Sequence, residues 1–170
     1  LWIRAQDTVQ NPKEVGANPA AVDRKKERFL QYHDQKTSGI PGLFPCFSRL
    51  RVRFTEKIVG KGKGINGEAI TILKHQSGEL VAWDLHPADR VRDSMGERLL
   101  SYLPNILYVK VDGATWQVHP KIPPGVYPLK YGKRDWTLNE SSGAKVSRKG
   151  FTIVPDLAST AFMIQGGTLD

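Results

Sequence analysis

Apolar and polar residues alternate in short runs over most of this chain, a period of two that predicts strands. From Leu50 to about Arg148 the runs are broken by turn residues at close intervals, the pattern of a small antiparallel barrel. Expected strands cover Arg51–Lys57, Glu68–Lys74, Leu80–Asp84, Ile106–Val111, Thr115–His119, Gly125–Lys130 and Asp135–Leu138. The first two read as a hairpin. Leu50, Val52 and Phe54 alternate, Lys61–Gly64 form a mobile loop, Asn66-Gly67 supply positive φ, and Ile70-Thr71-Ile72 return as a β-branched run. Ser77-Gly78 and Asp112-Gly113 mark further tight turns. Between Asp89 and Tyr102, a charged stretch with Leu99 and Leu100 reads as a short helix or a mobile excursion.

The period lengthens near both ends. Asn18-Pro19 opens a helix with proline at its first position, expected to run to about Lys36 before Gly39 and Pro41 end it. Val22, Lys26, Phe29, Leu30 and His33 form one face, so Phe29 and Leu30 would dock a surface helix. Leu1 to Ala17 show no strong periodicity and carry Pro12 and Gly16, which predicts irregular chain. At the other end, Phe151–Val154 alternate like a buried strand, and Pro155 ends it by removing a ladder donor. Asp156 is a candidate N-cap, and Leu157, Ala161 and Ile164, with Ala158 and Phe162 alongside, make one apolar stripe. Ser159 and Thr160 fall in the first turn, where unpaired N–H groups and the helix dipole favour anions. They are candidate phosphate contacts, although an ordinary α/β crossover with locally bonded hydroxyls gives the same pattern.

Composition adds constraints. With 170 residues, 39% of them hydrophobic, the chain can bury a core of one domain or one and a half. The 25 Lys+Arg outnumber the 17 Asp+Glu for a net charge of +8, which suits a polyanionic partner and equally a soluble basic domain. Lys61 and Lys63 sit in the glycine-rich loop; Lys130, Lys133 and Arg134 lie near Tyr131 and Trp136; Lys145, Arg148 and Lys149 precede the terminal strand. Basic residues interleaved with aromatics fit single-stranded nucleic acid, through phosphate pairing and base stacking, and also fit solvated strand faces. No apolar run is long enough to span a bilayer, so no membrane partner is expected. The single Cys46 excludes an internal disulfide or a cysteine-rich zinc site and reads as a packed thiol within Ile40–Phe47. His33, His75, His86 and His119 lack metal-ligand spacing, so no metal site is expected. The compartment stays open.

The segment Ala158–Asp170 resembles the penultimate motif of superfamily 1 DNA helicases of the RecD-like and petite-integration (mitochondrial DNA helicase) type, A-x-T-x-H-K-S-Q-G-x-T-L-D. Ala158, Thr160, Gln165, Gly166, Thr168, Leu169 and Asp170 match in register. Phe162, Met163 and Ile164 stand where that pattern has His, Lys and Ser; apolar groups there strengthen helix packing and equally fit a degenerate copy. Upstream, Leu50–Ile58, then Gly64-Ile65-Asn66-Gly67-Glu68 and Ala69–Leu73, resemble the hairpin segment of the same helicases.

The resemblance implies an α+β, mainly β chain: a Src-homology-3-like small antiparallel barrel inserted in an incomplete RecA-like α/β domain. Residues 1–48 would be a segment of the second RecA-like domain with one helix, 49–148 the β-rich insert, and 149–170 the returning strand and helix. It implies a fragment of an ATP-dependent DNA helicase, internal to a longer polypeptide, as Leu1 at the start and Asp170 inside the motif also suggest. Ser159 and Thr160, beside the basic pair Arg148 and Lys149, would contact single-stranded DNA, while Gln165 and Gly166 would face nucleotide. ATP and Mg would act only in the full-length protein, with the first RecA-like motor domain as intramolecular partner. The phosphate-loop pattern Gly-x-x-x-x-Gly-Lys-[Ser/Thr] occurs nowhere in the sequence, so the isolated chain is expected to have no catalytic residues and neither to hydrolyse ATP nor to unwind duplex. A competing reading takes Gly60–Leu73 as similar to the basic hairpins of small ribosomal and transcription-factor barrels, making the chain a standalone nucleic-acid- or protein-binding module without enzymatic activity. A weaker one uses Trp83, Trp116 and Trp136 as a protein-docking platform.

Overall fold

The computed structural model describes residues 1–10, 26–90, 98–138 and 145–156. The chain is mainly β. Its strands, in order, are β1 (Trp2–Arg4), β2 (Gln6–Val9), β3 (Leu43–Pro45), β4 (Arg51–Phe54), β5 (Ile58–Lys63), β6 (Ala69–Ile72), β7 (Ser77–Asp84), β8 (Ile106–Val111), β9 (Val126–Leu129), β10 (Gly132–Thr137), β11 (Lys145–Gly150) and β12 (Ile153–Pro155). A short helix spans Pro87–Arg90, and residues 26–29 are helical.

Period-two burial builds the main core. The five-stranded antiparallel sheet β12-β4-β7-β8-β9 turns Val52, Phe54, Leu80, Leu107, Val109, Val111, Leu129 and Ile153 inward. Ile3 of β1, Phe44 of β3, and Ile70 and Ile72 of the β5-β6 hairpin join the same cluster. Each fully buried Leu, Ile or Phe contributes about 1.5–3 kcal/mol relative to exposure, so this cluster is the main source of stability. Cys46 is buried in it, and that burial pushes its thiol from the ordinary 9.0 up to about 12.

A second core lies under the three-stranded sheet β10-β11-β2. Val9, Phe29, Trp136 and Val146 pack there, with Tyr32 and Leu138 at the edge. The Phe29 and Tyr32 rings stand edge-on to Trp136 at 5.4 and 5.5 Å. The Arg148 side chain is fully buried beside them. Its Nε and Nη2 donate to both carboxylate oxygens of Asp7 at 2.8 Å, Nη2 also donates to Phe29 O at 2.7 Å, and Nη1 donates to Ile40 O at 3.1 Å. Gly42 is wedged nearby: its carbonyl accepts from Ala5 N–H, and a Cβ on it would lie 2.1 Å from Leu30 O.

The expected barrel is not closed among the described residues. β9 and β12 end an open sheet, and β10 and β11 leave it to pair with β2, because Arg148 draws β11 to Asp7. Pairing crosses the expected segment boundaries, since β2 joins β11 and β12 joins β4. Residues 1–10, expected to be irregular, hold two strands, each completed by a distant partner. Thr115–His119 is not a strand: the Gln117 side-chain amide donates to the carbonyls of His119, Pro120 and Ile122 and winds the segment into a loop. Lys61–Gly64, expected to be a mobile loop, falls largely within β5, whose pairing with β6 shifts register between Val59 and Lys63. Ser77-Gly78 begins β7; the turn before it uses His75 at φ 70°, with the Gln76 side chain accepting from Leu73 N–H. The helix expected to Lys36 gives way after residue 29 to turns in which Asp34 O accepts from Thr37 and Gly39 N–H, Gly39 having φ 83°. The start expected for it at Asn18-Pro19 lies outside the described residues.

Removing one partner of a buried ion pair leaves an uncompensated charge. Asp7→Ala or Arg148→Ala is therefore expected to cost about 3–5 kcal/mol in urea unfolding, and the double replacement Asp7→Leu/Arg148→Met to recover much of it. Single variants within about 0.5 kcal/mol of the parent, the usual range of surface changes, would contradict that. Cys46 is expected to react with a thiol reagent near pH 8 only as fast as the chain opens. The sign follows from the raised value: the folded state favours the neutral thiol, so its contribution is complete below pH 9.0 and is lost as pH rises towards about 12. Fast labelling of the native protein would refute the assignment.

Candidate nucleic-acid interface

Alternation along β10, β11 and β2 separates two chemically different faces. The inner rows are Arg134–Arg148–Asp7 and Trp136–Val146–Val9; the outer rows are Lys133–Lys149–Gln6 and Asp135–Ser147–Thr8. Each inner arginine is neutralised, Arg148 by Asp7 and Arg134 by an ion pair with Glu56. On the outer face Ser147 Oγ donates to Asp135 and accepts from the Gln10 amide, which ties the three strands together. The Ser147 hydrogen bond, above all, holds the Asp135 carboxyl below the ordinary carboxylate range, with Gln10, Lys133 and Lys145 acting the same way. This carboxylate stays charged throughout the neutral range, and loses its charge only when the pH falls through that lowered value.

Of the residues expected to meet nucleic acid, Lys149 is exposed on this outer face, whereas Arg148 is turned into the second core with its guanidinium engaged by Asp7, Phe29 and Ile40. The two are neighbours in sequence and sit on opposite sides of one sheet. Ser159, Thr160, Gln165 and Gly166 lie outside the described residues. The strand that leads to them is firmly placed: Asp156 N–H donates to Arg51 O at 2.9 Å, and Ser77 Oγ donates to the Asp156 carboxylate at 2.8 Å.

The glycine hairpin is also anchored. Gly67 takes φ 82° and donates to Gly64 O, as an Asn-Gly turn requires. The Glu68 carboxylate accepts from Asn66 and Gln117 N–H, and Ile65 N–H donates to Gln117 O, so the hairpin tip is stitched to the loop after β8. Lys63 remains exposed there. The tryptophans proposed as a docking platform are largely spent on packing: Trp116 and Trp136 are buried, and Trp83 is partly buried against the main core. The aromatic ring left exposed in the basic cluster is Tyr131, at 45%. The signal for this division was present in the alternation of β10, where Lys133, Asp135 and Thr137 share one parity and Arg134 and Trp136 the other.

No protein-family model and no curated protein matches the chain. Among solved structures it is similar to a Pif1 helicase from Candida albicans, at 13% identity and a TM-score of 0.42, over 91% of this chain and 28% of that one. The chain thus spans little more than a quarter of that helicase's length, and a likeness of this degree fixes neither fold nor function.

Proposed function

We propose that the chain is the strand-contacting and nucleotide-coupling segment of an ATP-dependent DNA helicase, with its β-rich part as a Src-homology-3-like insert in a RecA-like domain. One observation carries the reading. The two stretches that resemble the helicase pattern are far apart in sequence, yet β12 runs antiparallel to β4 with Ile153 opposite Phe54, Val154 opposite Arg53 and Pro155 opposite Val52. The strand that precedes the terminal motif in sequence therefore lies beside β4, the first strand of the upstream stretch, and Asp156 is held to β4 and to Ser77 of β7.

In this reading Ser159 and Thr160 offer hydroxyls to a phosphate of the tracked strand, and Gln165 and Gly166 lie on the nucleotide side. One short element faces both ligands, so closure around nucleotide shifts the grip on the strand. ATP and Mg belong to a longer polypeptide that supplies a phosphate loop and a first motor domain. A second reading, a binding module without enzymatic activity, is favoured by a different observation: the outer row Lys133–Lys149–Gln6 is complete within this chain and needs no nucleotide.

The isolated chain is expected to hydrolyse ATP no faster than background. In a protein that joins it to a phosphate-loop domain, Thr160→Ala is expected to weaken single-strand binding about tenfold, the worth of one hydrogen bond to a charged oxygen, with nucleotide affinity nearly unchanged. Gln165→Ala should do the reverse. Equal loss of both affinities in both variants would sink the coupling role, and single-strand binding indifferent to nucleotide in the parent protein would favour the module.

A further inference from the structure

The geometry points to a single-stranded nucleic-acid platform at one end of the β10-β11-β2 sheet, in which Lys133 and Lys149 bind phosphate and Tyr131 stacks a base. The inference rests on the nucleic-acid partner of the proposed function and names the surface that meets it.

Lys133 and Lys149 are directly opposite one another across an antiparallel pair, and both are exposed. Directly opposed like charges destabilise a sheet, since the two Cβ atoms lie only about 4.5–5.5 Å apart. The inner row of the same strands contains a comparable clash, Arg134 opposite Arg148, and resolves it with a carboxylate for each cation. On the outer side neither lysine side chain makes an ion pair or hydrogen bond among the described residues. Asp135, one row along, accepts from Ser147 Oγ and feels the charge of Lys133 but forms no ion pair with it. The unresolved repulsion is what a phosphate between the two ammonium groups would relieve.

Tyr131 lies two residues before Lys133 and Phe151 two residues after Lys149, just beyond the paired ends of β10 and β11. The rings meet edge-on at 6.3 Å: Phe151 is buried in the main core and braces Tyr131, which stays 45% exposed. Two residues of chain span at most about 7 Å, within reach of the phosphate and base of a single nucleotide. An exposed aromatic ring, already held in place, beside two cations that make no ion pair among the described residues is the combination that binds single strands without sequence preference: stacking accepts any base, and the lysines read only the backbone. Gln6 prolongs the row on the far side of Lys149 with an amide that can hydrogen-bond a further phosphate or sugar oxygen.

The test is fluorescence anisotropy of the whole chain with labelled oligo-dT over a range of salt concentrations. Lys133→Gln/Lys149→Gln is expected to weaken binding at least tenfold and to flatten the slope of log affinity against log salt by about 1.4, two phosphates at about 0.7 each. Its midpoint of thermal unfolding should be equal to or above that of the parent, because a like-charge pair has been removed, so lost binding is not lost fold. Tyr131→Ala should weaken binding by about 5- to 150-fold with the salt slope unchanged. Parent binding with an unaltered affinity and slope in the lysine variant would overturn the platform and leave the proposed function standing. No binding by the parent at low salt would overturn both, and equal competition by a duplex of the same length would overturn the single-strand assignment.

Discussion

The buried pair of Arg148 and Asp7 is the constraint on which the architecture turns. A guanidinium and a carboxylate, both taken out of water, are tolerable only with near-complete hydrogen bonding, and the bonds they need come from four places in the chain: β2, β11, the helical turn at Phe29 and the carbonyl of Ile40. Those requirements bring the first ten residues against the last strands. They also set parity. With Arg148 inside, Lys149 must be outside, and with Trp136 inside, Lys133 follows it out. The cationic outer row is thus a consequence of the interior ion pair.

The main core obeys a simpler rule. Strands that alternate cleanly find partners whose apolar faces match, and the sheet β12-β4-β7-β8-β9 assembles around Leu80, Leu107 and Val109 with little polar cost. Polar side chains then decide the connections that strand pairing leaves open. Gln117 winds one loop, Glu68 ties the hairpin tip to it, and Asp89 accepts from the backbone of Ser101 and Tyr102 to fix the return into β8. The last described strand, β12, lies directly beside β4 with no intervening element.

Most of the inner strands were legible because their burial shows as a period of two: Val52 and Phe54, Ile70 and Ile72, Leu107 to Val111. The strands that escaped are short or chemically untypical. Trp2–Arg4 and Gln6–Val9 each carry too few alternating residues to stand out, and Lys145–Gly150 buries an arginine where an apolar residue is the norm. Their strand character comes from distant partners. Thr115–His119 failed in the opposite direction, since its alternation is genuine and buries Trp116, but the Gln117 side-chain amide bonds the carbonyls of His119, Pro120 and Ile122 and turns the chain out of an extended run.

The sequence by itself determined the mainly β character, the Asn-Gly turn, the packed thiol of Cys46 and the basic clusters, because each depends on local periodicity, backbone preference or composition. Only the tertiary structure decided which basic residues reach solvent. Arg148 and Lys149, and likewise Lys133 and Arg134, look alike in sequence; which of each pair meets a carboxylate, buried for Arg148 and half-exposed for Arg134, depends on Asp7 and Glu56, brought from far along the chain. Ion pairs between distant segments leave no periodic trace, so the division of the cluster into a structural half and an exposed half appears only when the strands are paired.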